Sequence, residues 1–110
     1  MALITLEEAK KYLRVDSTDE DALAGILLSS AEQLCVDVAR LSQEQWAAIN
    51  ADAETELYTE TELEQVRSVM RVAVLYALGY LFEHREEADH HALTLTLRSV
   101  LFAVREGVGF

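Results

Sequence analysis

The sequence predicts an all-α fold: a small bundle of about four helices with a long central helix, and an acidic loop or short helix between the second and third main helices. Three observations point there. Proline is absent and only four glycines occur, two of them in the last four residues, so the turn chemistry that a hairpin-rich β-protein needs is missing. Hydrophobic residues make up 51% of the chain but aromatics only 7%, which leaves Leu, Val, Ile and Ala to build the core, a palette suited to packed helices. Apolar residues recur at three- and four-residue spacing in several separate segments. The 110 residues fit one domain, spanning 1–110, with 106–110 expected as a flexible tail ending in Gly107-Val108-Gly109-Phe110.

The first helix is expected over residues 6–14. Thr5-Leu6-Glu7-Glu8 is a capping box, in which a hydroxyl and a carboxylate each satisfy the other residue's orphan backbone N–H. Leu6, Ala9 and Leu13 form its apolar spacing, and Lys10, Lys11 and Arg14 complement the negative end of the helix. The run from Val15 to Asp21 is a polar break whose acids suit the positive end of a second helix starting near Asp19 and ending near Arg40. Leu23, Leu27, Ala31, Leu34 and Val38 form its inward stripe, widened by Ile26, Cys35 and Leu41.

Ser42-Gln43-Glu44-Gln45 can cap a further helix of one or two turns that tucks Trp46 and Ile49 against the core. Residues 51–64 hold six acids and no base and read as a solvated loop leading into an acidic helix start. The central helix follows, with Leu63, Val66, Val69, Met70, Ala73, Val74, Ala77, Leu78, Leu81 and Phe82 at helical spacing. Val72, Leu75, Tyr76 and Tyr80 make its other face apolar too, so it is surrounded within the domain or shared with a neighbouring subunit. After a polar break from Glu83 to His91, Leu93, Leu97, Val100, Leu101 and Val104 give a last helical stripe. The alternation Leu93-Thr94-Leu95-Thr96-Leu97 would also suit a short extended stretch. Leu95 and Phe102 point away from the stripe, towards contacts outside the monomer.

The formal charge of −11 comes from twenty acids against nine bases, which disfavours a surface that grips nucleic acid phosphates. The imbalance is concentrated in residues 1–61, with 13 acids and 4 bases. Cys35 is the single cysteine; it excludes an intrachain disulfide and reads as a small buried hydrophobe. The N-terminus lacks a basic leader, and no stretch reaches the roughly 18 uncharged apolar residues of a membrane span, so no membrane association and a soluble, cytoplasmic chain are expected.

No catalytic constellation emerges. The histidines share one polar bend, and neither Cys35 nor the serines sit in a strained turn beside a base. Glu83, His84, Glu87, Asp89, His90 and His91 bring several possible metal ligands together, but their spacing matches no established site, and a solvated helix end is the plainer account. No glycine-rich phosphate cradle occurs, so no cofactor is expected. Arg67 and Arg71 share one face of the central helix, and Arg85, Arg98 and Arg105 are scattered further on without interleaved aromatics; ion pairs with acids, within or between subunits, account for them.

The opening Leu3-Ile4-Thr5-Leu6-Glu7-Glu8-Ala9-Lys10-Lys11-Tyr12-Leu13-Arg14-Val15-Asp16, the acidic Asp19-Glu20-Asp21-Ala22-Leu23 and the amphipathic helix after it resemble the phage head-to-tail connector family called gene-product-six-like. Tyr80-Leu81-Phe82-Glu83-His84-Arg85-Glu86 is similar to the ending of that family's long helix. Leu97-Arg98-Ser99-Val100-Leu101-Phe102-Ala103-Val104-Arg105 is similar to its closing Leu-rich segment. The resemblance implies a structural, non-enzymatic subunit that forms a ring, of about twelve copies, beneath the portal protein. Such a ring offers the tail or a stopper protein an attachment surface, while DNA passes through without specific binding. It also implies a place at the head-to-tail interface of the virion, reached from the host cytoplasm during assembly. The candidate channel or interface residues are Glu54, Glu56, Glu60, Glu62, Tyr76, Tyr80, Arg85, Leu95, Arg98, Phe102 and Arg105. Two rival readings stand beside it: a helical dimeric adaptor or regulatory protein, which fits the same composition, and a metal-dependent enzyme using the His84–His91 bend.

Overall fold

The computed structural model describes residues 2–15, 18–52, 55–84, 86 and 90–106. Among them the chain forms α1 (Leu6–Leu13), a 3-10 turn (Thr18–Glu20), α2 (Asp21–Ala39), α3 (Gln43–Ala51), α4 (Glu60–Glu83), α5 (His91–Val100) and α6 (Phe102–Glu106), with no strand. The all-α expectation is met, including the short helix between the second and third main helices. The Leu93–Leu97 alternation resolves as helix.

Three helices start on the same device. Thr5 Oγ1 accepts from Glu8 N at 3.1 Å while Glu8 Oε1 accepts from Thr5 N at 3.2 Å. Ser42 and Gln45 repeat the arrangement at α3 (3.1 and 2.8 Å), and Thr59 and Glu62 repeat it at α4 (3.1 and 2.9 Å). Each box satisfies two of the backbone donors that a helix start leaves open. The box at Thr59 starts α4 three residues before Leu63, where its apolar spacing begins. The first three helices stop without glycine: Arg14, Arg40 and Asp52 adopt the left-handed conformation, with φ of 61°, 56° and 54°. At Arg14 and Arg40 the following residue donates back into the helix, Val15 N to Lys10 O at 2.9 Å and Leu41 N to Val36 O at 3.1 Å, the double closure of a Schellman end.

The 24-residue α4 is about 36 Å long at 1.5 Å per residue, nearly the full 40 Å of the longest dimension of the molecule. It is the axis of the bundle: α1, α2, α3 and α5 all pack on it, and α5 and α6 close over α2. Met70, Ala73, Val74, Ala77 and Leu78 on α4 are wholly buried, together with Ala31 and Cys35 of α2, Ala9 of α1, Ile49 of α3 and Leu97 and Leu101 beside α5. Alanines on the facing sides of α1, α2 and α4 let these helices approach closely, and the larger Leu, Ile and Met fill the layers between them.

Several inward assignments shift. In α2 the buried face is Ala24, Leu27, Leu28, Ala31, Cys35 and Ala39, with Leu23, Leu34 and Val38 half-buried at its margins. Ile26 is not inward but 65% exposed, because the face that packs is centred on the small residues and turns Ile26 outward. Leu6 and Val100, both assigned to inward stripes, are also exposed. For Val100 the reason is that Leu97 and Leu101 take the contact with α2 and α4 and rotate position 100 away. Counting its 3-10 lead-in, the segment Thr18–Ala39 is long and apolar enough by length and composition to cross a membrane, with a mean hydropathy of 1.4. Here it packs along α4, and Glu32 and Asp37 interrupt any uncharged run. Gly107 to Phe110, expected as a flexible tail, lie outside the described residues; Glu106 ends α6.

Candidate interface surfaces

Side chains fixed inside the subunit separate first from those left for contact. Arg71 reaches from α4 to the N-terminal segment, donating to Leu3 O at 2.8 Å and pairing with the Glu8 carboxylate. Arg67 donates to the carbonyls of Ile49 and Asn50, the latter at 3.3 Å, and lies 3.7 Å from Asp52. It therefore satisfies acceptors that the end of α3 leaves open. Asn50 Oδ1 accepts from Leu3 N at 2.9 Å. The ion-pair expectation holds for both arginines, but their bonds to backbone carbonyls depend on how α3 ends and where residue 3 passes, neither of which a sequence pattern displays. Lys10 and Asp21 pair between α1 and α2.

These contacts border an open groove of about 620 Å³ lined by Leu3, Asp52, Glu60, Leu63, Glu64, Arg67, Ser68 and Arg71. Both arginines in it already hold protein acceptors, while Glu60 and Glu64 face solvent. Of the acid candidates, Glu56 and Glu60 are exposed, but Glu62 is half-buried and its carboxylate closes the Thr59 cap. Glu54 lies outside the described residues. The acid-rich segment thus gathers at the start of α4.

The apolar candidates divide the same way. Tyr76 is exposed and belongs to an outward line on α4 of Glu60, Glu64, Ser68, Val72, Tyr76 and Glu83, with Val72 61% exposed. Tyr12 of α1 adjoins this line: a Cβ built on Gly79 would stand 3.1 Å from Tyr12 Cε2. Tyr80 turns the other way. It is half-buried, stacked on His84 with ring centroids 4.1 Å apart, and met edge-on by His90 at 6.0 Å. Leu95, Arg98 and Phe102 are exposed on the outer side of α5 and α6. Arg105 is half-buried with Nε 3.9 Å from Glu106 Oε1, and Arg85 lies outside the described residues.

The metal candidates do not assemble into a visible centre. Among the described residues no group of three His, Cys, Asp or Glu is placed to hold an ion; Glu87 and Asp89 lie outside them. His84 Nδ1 sits 3.0 Å from Tyr80 O, and His90 Nδ1 is buried without a hydrogen-bond partner. Cys35 is wholly buried, and burial, helped by the nearby Glu32 charge, pushes its thiol up to about 12, far from the thiolate a nucleophile needs. Arg71, above all, and the Thr5 N–H hold the Glu8 carboxyl below its ordinary range, whereas burial raises that of Glu32.

One comparison with known proteins identifies a family. The family model described as Phage gp6-like head-tail connector protein matches residues 3–106. The comparisons with curated proteins and with solved structures returned no match.

Proposed function

The chain belongs to the family of phage gp6-like head-tail connector proteins, and on that premise we propose that its copies close into a ring docked under the portal, around the DNA channel. The ring gives the tail or a stopper protein its attachment surface, and its place is the head-to-tail interface of the virion. The family is a structural one, and the work of the subunit is assembly.

The observation that carries the ring is the set of large apolar side chains left in solvent on a bundle whose interior is otherwise closed: Val72 and Tyr76 on α4, Leu95 and Phe102 on α5 and α6. A small domain stabilises itself by covering such faces with identical neighbours, and a head-to-tail contact that closes on itself makes a ring. The acids at the start of α4 supply the second part of the proposal. Glu56, Glu60 and Glu64, turned to the axis, repel DNA phosphates, so the genome slides through without specific binding.

Light scattering on the purified protein across a concentration series tests the ring. A species of about a dozen subunits is expected. A dimer fixed at every concentration would favour a helical adaptor instead, and it or a persistent monomer would overturn the self-assembling ring.

A further inference from the structure

We infer that successive copies dock through two unlike faces of this chain, the outer face of α4 at Val72 and Tyr76 with Tyr12 beside it receiving the outer face of α5 and α6 at Leu95, Arg98 and Phe102. The inference rests on the ring reading and identifies the contact that builds it.

The two faces match in spacing. On α4, Val72 and Gly79 are two turns apart, and the Tyr12 ring occupies the place that a side chain at 79 would take. The face therefore runs Val72, Tyr76, Tyr12, apolar at both ends with an aromatic ring in the middle. On the other face Leu95 and Phe102 are also seven positions apart, with Arg98 between them. The helix breaks at Leu101, whose N–H closes α5 on Leu97 O at 2.8 Å and whose carbonyl opens α6 by accepting from Arg105 N at 2.9 Å. Leu95, Arg98 and Phe102 are all exposed. Laid together in either direction, the apolar ends meet and the Arg98 guanidinium comes to the Tyr76 ring, where a cation is attracted to the aromatic face.

Charge then selects unlike over like pairing. Every charged residue on the exposed line of α4, Glu60, Glu64 and Glu83, is acidic. Two copies of this face packed antiparallel about a twofold axis between Val72 and Tyr76 would bring Glu64 of each level with Glu83 of the other. Two copies of the α5–α6 face would set Arg98 against Arg98. Like charges brought together at an interface cost free energy, and only the unlike pairing avoids both encounters. An unlike pairing is also the heterologous kind that a ring requires.

The test uses the full chain with single exposed cysteines, Val72→Cys and Phe102→Cys, since Cys35 is buried and unreactive. Each is treated with a short bismaleimide alone and as an equal mixture, and linked peptides are identified by mass spectrometry. The expected result is a 72–102 link in the mixture about tenfold above any 72–72 or 102–102 link. Arg98→Glu should raise the concentration at which rings form by about tenfold or more, with helicity unchanged. If the wild type forms rings but the cysteine variants give no 72–102 link, or give mainly 72–72, this contact is overturned and the ring stands. Wild-type protein that forms no ring would overturn the ring reading itself.

Discussion

At the scale of single residues, charge in this protein is used locally before it is used globally. Glu8 caps α1 through Thr5 and pairs with Arg71, which also holds Leu3 O, so one carboxylate ties the first helix and the N-terminal segment to α4. Its folded pKa lies below the ordinary value, with Arg71 the largest cause. Its contribution is therefore full above the ordinary glutamate pKa of about 4.3 and is lost as pH falls through the lowered value. Glu32 works in the opposite sense: burial raises its pKa, so protonation on acidification favours the fold. The two overlap in any acid titration of the whole protein, and a variant separates them. Urea melts should show Glu8→Gln less stable than wild type at pH 7, with the difference shrinking as pH falls below the ordinary glutamate range. A difference that stays constant over that range would mean that the Arg71 pair contributes nothing.

At the scale of elements, both ends of the first two helices were legible to within two residues, and the faces were harder to read. Thr5 and Ser42 announce their helices because a hydroxyl followed three residues later by Glu or Gln is a chemical signal carried wholly in the sequence. The ends at Arg14, Arg40 and Asp52 carry no such signal, since none has the glycine that usually takes the left-handed position. That omission gives a prediction. Arg40 is exposed, and its φ of 56° imposes a backbone penalty that glycine avoids, partly offset by the extra freedom glycine gives the unfolded chain. Arg40→Gly should stabilise the protein by up to about 1 kcal/mol, read as a rise of a few degrees in Tm. An unchanged or lower Tm would show that the Arg40 side chain holds a contact that matters more. The assignment of faces slipped where alanine did the packing. The interior of α2 follows Ala24, Ala31 and Ala39, and helical spacing put Ile26 at the margin of the inward stripe because spacing alone does not say which neighbour approaches closest.

At the scale of the whole molecule, the exposure of most apolar candidates was legible and the contacts of the others were not. Tyr76, Leu95 and Phe102 could be picked out because they break the inward pattern of otherwise amphipathic helices. Tyr80 satisfies the same rule yet is stacked on His84 four residues on and met edge-on by His90, the second contact being made only once the chain turns into α5. The acids at the start of α4 are similarly divided: Glu62 is spent on the cap, leaving Glu56, Glu60 and Glu64 free to face a channel. If they line it, reversing their charge should turn a repelling wall into one that holds phosphate by counterion release. Virions assembled with Glu56→Lys, Glu60→Lys and Glu64→Lys together should release their DNA several-fold more slowly than wild type, and the delay should fade as salt rises. The same positions changed to Gln should give an intermediate rate, which separates lost repulsion from new attraction. DNA release at the wild-type rate from virions that carry the Lys variant and retain their tails would put these acids on the outer rim of the ring, where their charge acts on protein partners instead.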